Sequence, residues 1–152
     1  MIHLRAVERA DLDALFALDH KCFPPGIAYS RADLRYHLSH PRSFSVVAED
    51  AAKSILGFAI AESHLEEGRR IGHIITIDVT PAARRNGLGR MLMEALLDHL
   101  RAIETAKIRL EVAIDNADAQ AFYLQHGFVK TGRIPGFYLG KLDALTMEKP
   151  LP

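Results

Sequence analysis

The chain has 152 residues, 49% of them apolar, and its 19 Lys plus Arg balance 19 Asp plus Glu, so the formal net charge is zero with histidine neutral. That size and apolar share predict one globular domain over residues 1–152 and exclude a disordered chain. Zero net charge gives no bulk attraction to nucleic acid or a membrane surface, and a single cysteine, Cys22, excludes an intramolecular disulfide and predicts a reducing cytoplasm.

No apolar run reaches membrane-spanning length, and the N-terminus lacks a signal-peptide apolar region. The eight histidines form no H-x-x-x-H and no Cys/His cluster, so no metal site is expected. In chain order, Ile2–Val7 alternates and predicts a strand. Asp11 reads as the N-cap of a helix whose apolar face holds Leu12, Leu15, Phe16 and Cys22; Cys22 reads as a small buried filler rather than a nucleophile. Phe23-Pro24-Pro25-Gly26 breaks that helix. Ser30 to Asp33 resembles a capping box with Asp in place of Glu, opening a second helix that stops before Pro41. Phe44–Glu49 and Ile55–Ala61 predict a hairpin. His64–Arg70 reads as a charged connector.

Gly72–Val79 is a β-branched run that predicts a strand, ended by Pro81, which has no N–H for a ladder bond. The turn Arg84-Arg85-Asn86-Gly87-Leu88-Gly89 follows, and then a helix to about Arg101 with Leu88, Leu92, Leu96 and Leu100 on one face. Glycines let the backbone approach a ligand, and the first amides of a helix have no intrahelical partner and favour an anion. The turn therefore reads as a phosphate cradle, with Arg84, Arg85 and Arg90 clustered on it.

Lys107–Ala113 predicts another strand, with Glu111 on the face opposite Leu110 and Val112. A short helix, Ala117 to about His126, is capped by Asp115 or Asn116 and ended by Gly127. Phe128–Thr131 reads as a strand, Gly132–Lys141 as a loop bearing Phe137 and Tyr138, and Asp143–Glu148 as the closing strand. The order β-αα-ββ-β-α-β-α-ββ, with few parallel crossovers, predicts an α/β chain in the α+β sense: a mixed, mostly antiparallel sheet flanked by helices.

Three glycine loops could hold a phosphate. A dinucleotide fingerprint fails at Leu92, where Gly or Ala is needed, and a P-loop lacks its Gly-Lys-Ser/Thr. The pattern R-x-x-G-x-G is met in full by Arg84, Gly87 and Gly89. It resembles the diphosphate-binding turn of the Gcn5-related N-acetyltransferases. A second block agrees: Leu110-Glu-Val112, then Asn116, Ala119, Phe122-Tyr123 and Gly127-Phe128 resemble that family's L-x-V, N-x-x-A-x-x-F-Y and G-F. Phe23-Pro24, the aromatic pair Phe137-Tyr138 and the closing Asp143-Ala-Leu-Thr-Met-Glu-Lys149 resemble the subgroup that acetylates the N-termini of ribosomal and other proteins. Phe137 departs from that subgroup's usual tyrosine, which removes a hydroxyl.

The resemblance implies an acyl-CoA N-acyltransferase fold and transfer of an acetyl group from acetyl-CoA to the α-amine of a peptide or protein N-terminus. It implies cofactor contacts from the backbone at Ile77 and Val79, from Arg84, Arg85, Asn86, Gly87, Leu88, Gly89 and Arg90, and from Asn116, which reads equally as a plain helix cap. Acetyl transfer to an amine needs a base, a donor to the carbonyl oxygen and an acid for the leaving thiolate. Tyr123 is the candidate acid, placed by the resemblance beside the cofactor sulfur. Glu111 is the first candidate base and His73 the second; each also reads as an ordinary surface charge. Phe23, Pro24, Tyr29, Phe137 and Tyr138 are the expected substrate contacts. Two alternatives stand: a small-molecule amine acetyltransferase acting on polyamines or antibiotics, and an acyl-CoA-binding module without catalysis. Monomer and homodimer fit equally.

Overall fold

The computed structural model describes residues 1–152. Seven strands form one sheet: β1 His3–Ala6, β2 Ser43–Glu49, β3 Ile55–Glu66, β4 Arg69–Val79, β5 Lys107–Ala113, β6 Val129–Tyr138 and β7 Leu142–Pro150. Their spatial order is β1-β2-β3-β4-β5-β7-β6. Every neighbouring pair is antiparallel except β4 with β5. The helices are α1 Leu12–Cys22, α2 Arg31–Ser39, α3 Leu88–Ala102 and α4 Ala117–Gln125.

The sheet divides the apolar residues into two cores, one on each face. Leu88, Leu92, Leu96 and Leu100 recur along one side of α3 and bury against Ala59, Ala61 and Ile74 of the sheet. On the opposite face, Leu15 and Leu18 of α1 and Leu34 of α2 pack on Val47, Phe58 and Ile60. Full burial of side chains of this size contributes roughly 1.5–3 kcal/mol each.

Three expectations are corrected. Asp11 does not cap α1. A single tight turn, Arg9–Asp11, precedes that helix, and the Asp11 carboxylate turns back to accept two bonds from the Arg5 guanidinium and one from the Glu8 amide. Residues 64–70 are not a connector: β3 and β4 run on as a long hairpin, closed by Glu67 and Gly68 at φ 49° and 78°. Charge there reflects strands that extend beyond the cores, where Arg109 bonds both Glu66 and Glu148. Nor is 132–141 a loop. β6 continues to Tyr138 as an edge strand, although Gly132, Pro135 and Gly136 weaken the strand pattern and its ladder to β7 breaks between Ile134 and Tyr138. Ser30 does cap α2, its hydroxyl accepting from the Asp33 amide at 3.0 Å.

Candidate active site

The site begins where two strands part. β4 and β5 pair only through Ile71, Gly72 and His73 with Lys107, Ile108 and Arg109. Beyond that point β4 runs on to Val79 and β5 to Ala113 without pairing to each other, so β4 has an open edge. A bulge sits at the same place. Ile74 pairs with Ala61 and Thr76 with Ile60, which leaves Ile75 without a partner on β3. Past the bulge the Thr80 amide donates to the Leu56 carbonyl on β3. Strand alternation then turns the N–H and C=O of Ile77 and Val79 to the open edge. The Val79 carbonyl is occupied, accepting from the Arg84 Nε–H at 3.0 Å and the Cys22 thiol at 3.4 Å. Ile77 keeps the freer backbone on that edge.

The glycine turn follows directly. Gly87 lies at φ 81°, a left-handed conformation that a side chain adopts only under strain, and a Cβ built there meets nothing within 4 Å. The first intrahelical bond of α3 runs from the Met91 amide to the Gly87 carbonyl, so the amides of Leu88, Gly89 and Arg90 have no helical acceptor. No acidic residue lies in that first turn. Arg85, Asn86 and Arg90 are exposed around it, whereas the Leu88 side chain is buried and can offer only its amide. Gly89 serves packing: a Cβ there would stand 3.1 Å from the Phe122 ring of α4. Open space, free amides, arginines and the absence of acidic neighbours together fit a diphosphate.

The Tyr123 ring on α4 packs edge-on against Phe122 and Phe128, with centroids 5.5 Å and 5.7 Å away. Burial first, then the nearby Asp78 and Tyr138, push its phenol well above the ordinary tyrosine range, so it stays protonated at neutral pH. Asn116 caps α4, its Oδ1 accepting from the Ala119 amide at 3.1 Å; only its NH₂ is left for another partner.

His73 and Glu111, read from the sequence as competing bases, are joined. The His73 Nε2 lies 2.7 Å from the Glu111 Oε1 across the short parallel pair, with both side chains partly exposed. A carboxylate oxygen accepts, so the imidazole donates from Nε2.

The two loops expected to contact the substrate also converge. A Cβ on Gly26 would lie 2.7 Å from Leu139, so the α1–α2 loop touches the β6–β7 turn. Phe23 is half-buried and Pro24 exposed on the first of these, and Phe137 stacks edge-on with Tyr138 at 5.0 Å on the second. The Tyr138 phenol is pushed up to about 12 by burial, Glu111 and Asp115. Tyr29 is committed elsewhere: its hydroxyl donates to the bulged Ile75 carbonyl at 3.2 Å, tying the loop to β4.

Sequence reading missed the bulge and two buried carboxyls, Asp19 on α1 and Asp78 on β4, which are 0% and 1% exposed. A signal existed for both carboxyls. Asp78 interrupts a β-branched run, and Asp19 lies one helical turn from Leu15 on the apolar face of α1.

Comparison with known proteins agrees with this geometry. The acetyltransferase (GNAT) family pattern matches residues 12–128. N-alpha-acetyltransferase 30 of Schizosaccharomyces pombe is 31% identical over 117 residues, covering 76% of this chain and 77% of its own. Mycothiol acetyltransferase of Salinispora tropica is 32% identical over 139 residues, 86% of this chain but 45% of its own, so the chain spans under half of that relative. The structure of the ribosomal-protein-S18-alanine N-acetyltransferase from Escherichia coli superposes with a TM-score of 0.85 at 27% identity, covering 99% of this chain and 94% of its own. A match that takes in the first helix, the bulged strand, the glycine turn and α4 alike assigns the chain: it belongs to the GNAT family of acetyltransferases, enzymes that use acetyl-CoA.

Proposed function

We propose that this enzyme acetylates the α-amino group of a peptide or protein N-terminus, with residues 1–152 acting as one catalytic domain. The supporting observation is the meeting of the α1–α2 loop with the β6–β7 turn, next to a tyrosine, Tyr138, whose phenol feels the Glu111 charge. Two facing loops lined by Phe23, Tyr29, Phe137 and Tyr138 suit an extended backbone with a small first side chain. The S. pombe and E. coli relatives, named as N-alpha- and S18-alanine acetyltransferases, support the same reading.

Acetyl-CoA supplies the acetyl group and a thiolate leaving group. The free amides of Leu88, Gly89 and Arg90, with Arg84, Arg85 and Asn86, hold its diphosphate, and the open edge at Ile77 and Val79, with the Asn116 NH₂, lies along its arm. His73 and Glu111 together take the proton from the amine. An amide of the open edge donates to the carbonyl oxygen as that oxygen gains charge. Tyr123 gives its proton to the departing sulfur. An α-amine has a pKa of about 8 against about 10.4 for lysine, so it needs less of the base.

Replacing Gly87 with Val should raise the acetyl-CoA dissociation constant at least about tenfold, or roughly 1.4 kcal/mol. It fills the open space over the turn and strains a left-handed position. Calorimetry on the folded variant reads this, and unchanged affinity would remove the turn from cofactor binding.

A peptide beginning with Ala or Ser and carrying an internal lysine tests the acceptor. Mass spectrometry should place the acetyl group on the terminus, and Tyr138→Ala should lower kcat/KM for that peptide with little change in acetyl-CoA affinity. Acetylation of the lysine, or of free polyamines alone, overturns the N-terminal reading and leaves the family activity intact.

A further inference from the structure

The buried carboxyls of Asp19 and Asp78 have no part in the chemistry above, yet they sit between the acceptor loop and the bulged strand. The Asp19 Oδ2 accepts from the Tyr29 amide at 2.7 Å. The Thr76 hydroxyl donates to the Asp78 Oδ1. The remaining oxygens, Asp19 Oδ1 and Asp78 Oδ2, are buried and have no hydrogen-bond partner. The two carboxyls lie within hydrogen-bonding reach of each other. Neither residue makes an ion pair. Two facing carboxylates, both out of water, repel strongly and leave two acceptors unmatched. One proton between them satisfies both oxygens and removes the repulsion.

We propose that Asp19 and Asp78 share a single proton, and that this carboxyl pair is a positioning device that holds the Tyr29 loop against β4 for the acceptor amine. The positioning half rests on the acceptor reading above; the shared proton does not. Two bonds from the loop meet β4 here, the Tyr29 amide through Asp19 and the Tyr29 hydroxyl at the bulged Ile75 carbonyl. Asp19 and Asp78 are therefore the link between α1, the loop and the strand that carries the open edge.

The titratable groups around the pair are the Cys22 thiol of α1, Tyr29 of the loop, Arg84 of the glycine turn and Tyr123 of α4. Burial and the Asp19 carboxyl hold Asp78 well above the ordinary carboxylate range, with Thr76 and Arg84 pulling the other way. The folded pair thus binds a proton that the unfolded chain releases near an ordinary aspartate pKa. Its stabilisation is complete below that value and is lost as pH rises through the raised one. A pH above that raised value therefore leaves two carboxylates face to face and loosens the loop.

Infrared difference spectra test the proton directly. Wild type minus Asp78→Asn, at neutral pH, should show the carbonyl stretch of one protonated carboxylic acid, shifting in heavy water, and Asp19→Asn should lose the same band. Absence of the band overturns the shared proton whether or not any peptide is acetylated. Steady-state kinetics with the N-terminal peptide tests positioning. Asp19→Ala should raise its KM on the order of tenfold, as expected for orphaned buried groups, with acetyl-CoA affinity unchanged. Asp19→Asn, which accepts from Tyr29 and donates to Asp78 without a shared proton, should keep the wild-type KM at neutral pH and lose its rise at alkaline pH. Unchanged KM in a folded Asp19→Ala protein overturns the positioning role. If Asp19→Ala does not fold, an Asp19→Asn enzyme whose alkaline KM rise equals wild type overturns it instead.

Discussion

Tyr123→Phe should lower kcat by about 10²–10⁴-fold while changing the KM for acetyl-CoA little, the range expected for loss of a general acid. The substitution removes one hydroxyl and keeps the ring that packs between Phe122 and Phe128, so folding and cofactor affinity have no reason to change. The phenol is held protonated by its burial and by Asp78 and Tyr138. That keeps the proton in place until negative charge builds on the leaving sulfur. The loss should appear under conditions where chemistry limits the rate. Wild-type kcat there takes Tyr123 out of the mechanism. A compensating gain from a thioester with a more acidic leaving thiol, acting on the variant more than on wild type, marks the missing proton as the one to sulfur.

Glu111→Gln is expected to cost kcat/KM for the peptide a comparable factor, about 10²–10⁴-fold, because glutamine keeps a hydrogen bond to His73 but takes up no proton. His73→Phe should cost a similar amount. The 2.7 Å bond makes the two side chains one device, so the double variant should lose little more than either single one. Full additivity would show instead that they act separately, and a Glu111→Gln enzyme with wild-type turnover would show that Glu111 does not take the proton. The paired geometry changes what each residue is asked to do. As a base, His73 would be oriented by Glu111 much as a carboxylate orients the histidine of a hydrolase triad.

The glycine turn and the Asn116–Tyr123 helix were legible because their geometry is local. Arg84, Gly87 and Gly89 lie within one turn, and the free amides follow from the start of any helix. Asn116 and Tyr123 share one short helix, so their spacing alone sets them on it. The acceptor half was legible only as separate parts. Nothing along the chain says that Gly26 meets Leu139, or that His73 and Glu111 hydrogen-bond across the three-residue parallel pair. The bulge at Ile75 was hidden by its own sequence, since a run of β-branched residues reads as a strand in either register. Errors over residues 64–70 and 132–141 share one cause. Both segments leave the cores, so their charges, glycines and Pro135 erased the apolar alternation by which strands are recognised. The two glycines of the turn, alike in sequence, differ in space: one keeps room for a ligand and the other lets α4 come close.

The irregular outer strand bears on how the protein behaves at high concentration. β6 ends the sheet, and Val129, Ile134 and Phe137 on it are exposed, the composition of a template for edge-to-edge association and fibril growth. Pro135 removes an N–H from that edge, Gly136 turns the backbone at φ 63°, and Lys130 and Arg133 add charge. A second chain arriving at this edge would find a bent, charged ladder with a missing rung. The same irregularity that disguised the strand in the sequence thus protects the folded molecule from adding strands without limit.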